Sequence, residues 1–266
     1  MAPVAIITGG ASGMGLAVAK SLAKRGWHVH IADLNESAAQ ATATELCGSY
    51  THTDVSSYQS LHSMFDTVFR DKGEINFVFA NAGIGEKQDF YASTTEEVIL
   101  SKPAELDRNV DINLKSVINT AYLTQHYIRR NKEKRKTCLI VNASIAGIYP
   151  VRFCPIYTAA KHGVVGFARA ISEYFYKEDG IRVNALCPGN VRTNLFKSEE
   201  WDAFKMEFIE LSQIVSIVEM FLFDESMHGK IVEAAPRDHY FHDAPPYSNE
   251  NVRITLAEPT FKSMGK

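Results

Sequence analysis

Tyr157 and Lys161 stand four residues apart in Tyr157-Thr158-Ala159-Ala160-Lys161, and Ser144 stands thirteen residues before the tyrosine. A spacing of four puts two side chains on one face of a helix. An ammonium about 4 Å from a phenol, at an effective dielectric near 20, interacts by roughly 4 kcal/mol. One pKa unit is about 1.36 kcal/mol, so the phenol could fall by up to about 3 units. Tyr157 would then serve as a base near neutral pH, taking a hydroxyl proton as hydride leaves the adjoining carbon. Ser144, at the sheet edge where the same oxygen would lie, could donate to it as its charge changes.

A second cluster is built for an anion. Thr8-Gly9-Gly10-Ala11-Ser12-Gly13-Met14-Gly15 follows the apolar run Val4-Ala5-Ile6-Ile7 and precedes a periodic helical stretch. Read as strand, glycine turn and helix, it offers helix-terminal N–H groups and a close backbone approach to a dinucleotide pyrophosphate. Asp33 ends the next apolar segment, where a carboxylate accepts from both adenosine ribose hydroxyls and repels a 2′-phosphate. No lysine or arginine lies between Thr8 and Gly15, and Leu34 adds no cation after Asp33. The pattern favours NAD(H) over NADP(H).

The elements that would position these residues are strands at 3–8, 27–33, 49–53, 74–80, 137–143, 181–187 and 230–235. Helices are expected near 13–25, 36–47, 57–71, 113–131, 155–178 and 212–223, with Pro155 in the first turn of the helix carrying Tyr157. This alternation predicts an α/β fold: a doubly wound parallel sheet of about seven strands with helices on both faces. Runs such as Cys138-Leu139-Ile140-Val141 suit strands buried on both sides. Gly9, Asp33, Asp54, Asn81, Ser144 and Pro188 each follow a strand, where ligands of such sheets bind. Two segments interrupt the rhythm. Residues 84–108 form a polar insertion. Residues 194–211 carry Phe196, Trp201, Phe204 and Phe208, and read either as a lid lined for an apolar substrate or as an amphipathic helix over the sheet edge.

Composition narrows the classes. The 266 residues show no linker-like break, so one domain is expected over 1–242, with a polar tail at 243–266 that is loose or docked on a neighbour. Twenty-eight Lys+Arg against 31 Asp+Glu give a formal charge of −3, which does not point to nucleic acid or an anionic membrane. The basic run Arg129-Arg130-Asn131-Lys132-Glu133-Lys134-Arg135-Lys136 reads as a solvated turn. Four scattered cysteines without ligand spacing suit a reducing, cytoplasmic setting and no metal, with Cys138 and Cys187 as core residues. No apolar run reaches the roughly 18 residues of a membrane span. A strand beginning two residues from the N-terminus leaves no room for a signal peptide. His28 and His30, on alternate strand positions, read as structural.

Together these motifs resemble the short-chain dehydrogenase/reductase family from residue 3 to about 240. TGxxxGxG is met by Thr8 to Gly15, YxxxK by Tyr157 and Lys161, and the serine thirteen residues earlier by Ser144. The resemblance implies a single-domain Rossmann fold with Asn113, Ser144, Tyr157 and Lys161 as a catalytic tetrad. Asn113 would hold a water in the proton relay, and Lys161 would also bind the nicotinamide ribose. It implies a cofactor site of Gly9, Ser12, Gly13, Met14, Gly15, Asp33 and Leu34, with Asp54-Val55 on the adenine side. Asn81-Ala82-Gly83 would lie behind the cofactor. Pro188-Gly189-Asn190-Val191-Arg192-Thr193 resembles PGxVxT, whose valine backbone and threonine hold the carboxamide. Three departures are Ala80 for the first asparagine of NNAG, Ala143 for the first serine of a Ser-Ser pair, and Gly229 to Pro236 in place of a VDGG ending. That ending and Lys161-His162-Gly163-Val164-Val165-Gly166-Phe167 resemble, more loosely, the NAD-dependent 15-hydroxyprostaglandin dehydrogenases. The expected activity is NAD(H)-dependent interconversion of a secondary alcohol and a ketone on a lipophilic molecule, by a homodimer or homotetramer built on helices 113–131 and 155–178. Three alternatives stay open: an NADPH-dependent ketoreductase, a non-catalytic dinucleotide binder, and a member used for a non-redox step.

Overall fold

The computed structural model describes residues 2–87, 89–92, 95–96, 104–132, 137–195, 201 and 206–257. Strands β1 (Val4–Thr8), β2 (His28–Asp33), β3 (Ser49–His52), β4 (Phe77–Ala80), β5 (Thr137–Asn142), β6 (Ile181–Pro188), β7 (Ile231–Ala235) and β8 (Asp238–Phe241) form one sheet. Their order is β3-β2-β1-β4-β5-β6-β7-β8. All neighbours pair in parallel except β7 and β8. Helices α1 (Gly13–Lys24), α2 (Glu36–Glu45), α3 (Tyr58–Lys72), α4 (Ala104–Val110), α5 (Ser116–Ile128), α6 (Pro155–Asp179), α7 (Leu211–Phe223) and α8 (Glu250–Ala257) accompany it.

Alternating strand residues feed two cores. Ile6, Val78, Leu139 and Val141 pack with Leu61, Phe65, Val117 and Val164 of α3, α5 and α6. Ile7, Phe77, Phe79 and Ile140 pack on the opposite face with Val18, Leu22, Ile214 and Phe221 of α1 and α7. A strand buried on both faces has no polar side, which is why these runs read as continuously apolar. The strand order reverses between β1 and β4, so a crevice opens where the chain leaves both strands. Gly9 and Asn81 stand at that crevice.

The expected doubly wound sheet is present, with one strand more than the sequence implied. Pro236 and Arg237 join β7 to an antiparallel β8, Arg237 having φ +67°. Proline followed by a left-handed residue suits a type II turn. Gln213 holds this turn, donating to the Ala235 and Asp238 carbonyls at 2.6 Å each and accepting from Arg237 N–H at 3.0 Å. The helix expected at 113–131 begins earlier: α4 runs into a π-helical turn, Asp111–Lys115, which continues as α5. The tail is not simply loose, because Arg169 donates to the Asp243 carbonyl at 3.0 Å and α8 follows; residues 258–266 lie outside the described residues. The basic run is part of the packing rather than only a solvated turn. Arg129 grips the Asp179 carboxylate at 2.6 and 3.0 Å, and Arg130 lies 4.7 Å from the Phe69 ring centre. Residues 133–136 fall outside the described set.

Candidate active site

The ends of β1 and β4 are bolted together. Thr8 Oγ1 accepts from the N–H groups of Asn81 and Ala82 at 3.0 and 3.1 Å. Asn81 Nδ2 donates back to the carbonyls of Thr8 and Gly9 at 3.0 and 3.2 Å. The glycines between them have no room for side chains. Gly9 and Gly13 adopt φ +63° and +52°, and a Cβ on Gly15 would come within 2.2 Å of the Gly9 carbonyl. On Gly13 it would press on Thr193 at 3.0 Å. Ser12, the N-cap of α1, makes no side-chain bond to the first turn, which leaves that helix end to an anion.

Asp33 joins this loop from β2. One carboxylate oxygen accepts from Ala11 N–H and the other from Asn35 N–H, both at 3.0 Å. Leu34 beside it is exposed. Thr53 N–H donates to the Asp33 carbonyl at 2.9 Å, which draws the Asp54 turn alongside. Asp54 Oδ1 accepts from Ser56 N–H and Oγ at 2.9 and 2.7 Å, and Val55 packs on the core. Asp33, Leu34, Asp54, Val55 and Gly15 do not line the main cavity; the remaining expected site residues do.

That cavity, about 420 Å³, runs from Gly9, Ser12, Gly13 and Met14 past Asn81, Ala82 and Gly83 to Asn113, Ser144, Tyr157 and Lys161. Pro188, Gly189, Val191 and Thr193 also line it. Ser144 follows β5 in extended backbone and caps a short 3₁₀ turn, accepting from Ala146 N–H at 3.1 Å. Its hydroxyl is near enough to the Tyr157 phenol to favour the phenolate. Lys161 Nζ donates to the Asn142 carbonyl at 2.9 Å and lies 5.5 Å from the centre of the Tyr157 ring. The electrostatics differ from the sequence expectation of a lowered phenol. Burial pushes Tyr157 up to about 12, against a smaller lowering by Ser144, and burial lowers Lys161 to about 8. Desolvation of the charged form is the largest cause of both shifts, and neither group figures among the causes of the other's. At neutral pH the phenol therefore holds its proton.

Asn113, in the π-helical turn, is buried and fastens the loop after β4. Its Oδ1 accepts from Ile84 N–H at 3.1 Å while Nδ2 donates to the Ile84 carbonyl at 2.9 Å and to Asn109 Oδ1 at 3.0 Å. Asn109, not expected to matter, in turn donates to the Gly85 carbonyl at 3.3 Å. Its place four residues before Asn113 was the available signal. Asn142 was also missed. Its carbonyl holds Lys161, and its amide donates to Asn81 Oδ1 at 3.2 Å. Glu86 accepts from Tyr157 N–H at 2.7 Å, and nothing in its local sequence announces a partner 71 residues away.

Val151, Phe153, Leu195, Trp201 and Met206 give the cavity an apolar part, with Asn190 and Asn194 also in the lining. Trp201 is buried, donates to the Thr193 carbonyl at 2.8 Å and meets the Phe208 ring edge-on at 5.7 Å. Of the segment expected to be a lid, Phe196 and Phe204 lie outside the described residues. Cys138 and Cys187 are buried in the core as expected, and all four cysteines are unpaired. Among the described residues no helix is long and apolar enough to cross a membrane.

The residues present fit a nicotinamide dinucleotide. The glycine cradle would be filled by any Cβ, and Asn142 Oδ1 is a buried acceptor without a partner beside the same cavity. The family model described as short chain dehydrogenase matches residues 3–203. Short-chain dehydrogenase/reductase prx7 of Penicillium rubens is 39% identical over 269 residues, covering 91% of this chain and 95% of that protein. The 15-hydroxyprostaglandin dehydrogenase (NAD(+)) of Homo sapiens is 30% identical over 215 residues, covering 78% and 75% respectively. The crystal structure of gox2181 superposes with a TM-score of 0.75 at 26% identity, over 88% of this chain and 94% of that one.

Proposed function

The chain belongs to the short-chain dehydrogenase family, and from that premise we propose that it interconverts a secondary alcohol and a ketone on a lipophilic molecule with NAD(H). The observation that carries this reading is the meeting of Ser144, Tyr157 and Lys161 in the cavity that the glycine loop also lines. When bound, the nicotinamide supplies the hydride donor or acceptor. The chain handles the proton. Tyr157, protonated at neutral pH, gives it from Oη to a carbonyl oxygen, and takes it back in the alcohol direction. Ser144 donates a hydrogen bond to the same oxygen as negative charge develops there. Lys161 places a cation beneath the ring, and Asn113 keeps the 84–85 loop in place behind it.

Asp33 supports NAD(H) over NADP(H). Its two oxygens are fixed by backbone N–H groups, so a 2′-phosphate would meet a fixed carboxylate. No lysine or arginine occurs in 8–15, 33–38 or 53–60 to offset it. Val151, Phe153, Trp201 and Met206 support a lipophilic substrate. The same reading assigns 1–242 to the catalytic domain and takes the protein as cytoplasmic and homo-oligomeric. Ile118 and Tyr122 on α5 and Tyr176 on α6 are exposed and would give a contact between copies its apolar surface.

The test is Tyr157→Phe, assayed with a panel of lipophilic secondary alcohols by NADH absorbance and with NADH and NADPH by fluorescence titration. Turnover should fall by about a thousandfold while NADH still binds, and more tightly than NADPH. Retained turnover would overturn the role of Tyr157, and equal binding of the two dinucleotides would overturn that of Asp33.

A further inference from the structure

Glu86 stands on the cavity wall beside Tyr157 and Cys154, and its two oxygens have different fates. Oε2 accepts from the N–H of Tyr157, in the first turn of the 25-residue α6, so a carboxylate is held at the positive end of the helix that carries the tyrosine. Oε1 is buried and has no hydrogen-bond partner among the described residues. Such an oxygen is costly to bury unless a donor reaches it. Val151, Phe153, Leu195 and Met206 of the same lining offer none, the Trp201 indole N–H is given to the Thr193 carbonyl and the Asn190 amide to Met206, and Asn194 is the other polar side chain on this part of the lining. Besides the Ser144–Tyr157 pair and the Asn142 amide oxygen, a lipophilic ligand in this cavity would therefore meet a carboxylate oxygen that lacks a donor.

We propose that Glu86 determines substrate specificity: Oε2 anchors it to α6, and Oε1 accepts a hydrogen bond from a second polar group of the substrate, a hydroxyl or an ammonium. The substrate is then a hydroxylated or aminated lipophilic alcohol or ketone rather than a plain one. This assignment rests on the alcohol–ketone reading above for its choice of ligand, but its geometry concerns binding alone.

Trp201 shares the wall, so its fluorescence reports occupancy without turnover. Wild type and Glu86→Gln are titrated with 2-octanol, 2,4-octanediol and 4-amino-2-octanol, with and without NAD+, and oxidation of each is followed in parallel. Wild type should bind one donor-bearing ligand at least about tenfold more tightly than 2-octanol, a difference of about 1.4 kcal/mol. Preference for the diol assigns a hydroxyl, and preference for the amino alcohol an ammonium. Glutamine keeps an acceptor for Tyr157 N–H but presents an amide at the other position. It should therefore bring the affinity ratio to within about twofold of unity. Equal affinity of wild type for all three ligands, or a ratio that survives Glu86→Gln, would overturn the assignment. If the variant does not fold, the selectivity of wild type alone decides. Glu86-dependent binding without any oxidation would sink the redox reading and leave this one standing. Oxidation of 2-octanol with no selectivity would do the reverse.

Discussion

Arg182, at the start of β6, and Lys161, on α6, are both buried cations, 3% and 2% exposed, and both rely on backbone carbonyls. Their surroundings are otherwise opposite. The Arg182 guanidinium donates to the carbonyls of Phe221, Leu222, Asp224 and Met227. These belong to the last turn of α7 and the turn that follows, where the helix leaves unpaired acceptors and the negative end of its dipole. Lys161 donates to one carbonyl, that of Asn142, and burial lowers it to about 8. One end of the sheet spends its cation on closing the fold. The other holds its cation by one carbonyl, with donors left for a ligand, whereas four carbonyls hold Arg182 and only its Nε–H is left without a partner among the described residues. An under-satisfied buried charge is destabilising by itself, so the difference marks which end is retained for chemistry.

Three measurements would break or sharpen this contrast. The largest effect is expected from Lys161→Met, which should lower kcat/KM by about a thousandfold while the melting temperature stays level or rises. A large loss of stability would show that Lys161 is structural after all. Arg182→Met should do the opposite. It strands several carbonyls at the end of α7, costing about 3 kcal/mol of unfolding free energy, yet the folded fraction should turn over normally. An unchanged urea midpoint would remove Arg182 from the comparison. The smallest effect is a pH slope. The folded value of Lys161, about 8, lies below its ordinary 10.5. Below about 8 both states hold the proton and this group adds no slope. Between about 8 and 10.5 the unfolded chain holds a proton that the folded chain has released, so stability rises with pH, by up to about 1.4 kcal/mol per unit. The difference in urea midpoint between wild type and Lys161→Met should therefore move in favour of wild type from pH 8 to pH 10. A constant difference would contradict a lowered Lys161.

The parts legible in the sequence are those whose role follows from local backbone. Gly9, Gly13 and Gly15 have no alternative residue, and Tyr157 and Lys161 share a face as soon as α6 forms. Strands buried on both faces declare themselves by composition, so β1, β4 and β5 lie within three residues of their expected bounds. What stayed hidden depends on long-range contacts. β8, Asp238-His239-Tyr240-Phe241, is largely exposed and carries no apolar alternation; it exists because Gln213 holds its turn. α8 is short and mostly exposed, with Ile254 and Leu256 on its open surface, so periodicity gave no sign of it. Glu86 and Asn142 owe their places to partners far along the chain. The phenol of Tyr157 shows a different gap. Spacing suggested an attraction to Lys161, but the burial that sets the phenol is a property of the assembled cavity.

The π-helical turn at Asp111–Lys115 carries a further consequence for this chain's tolerance of length change. Such a turn accommodates one residue more than the α pitch allows. Asn109 and Asn113, both pointing at the loop after β4, therefore stand in a different angular phase from the face that α5 turns toward the core. Removing a single residue here would shift that phase by about 100°. Either the asparagines or Val117 and Ala121 would then face away from their partners. The segment would accept many substitutions more readily than one deletion.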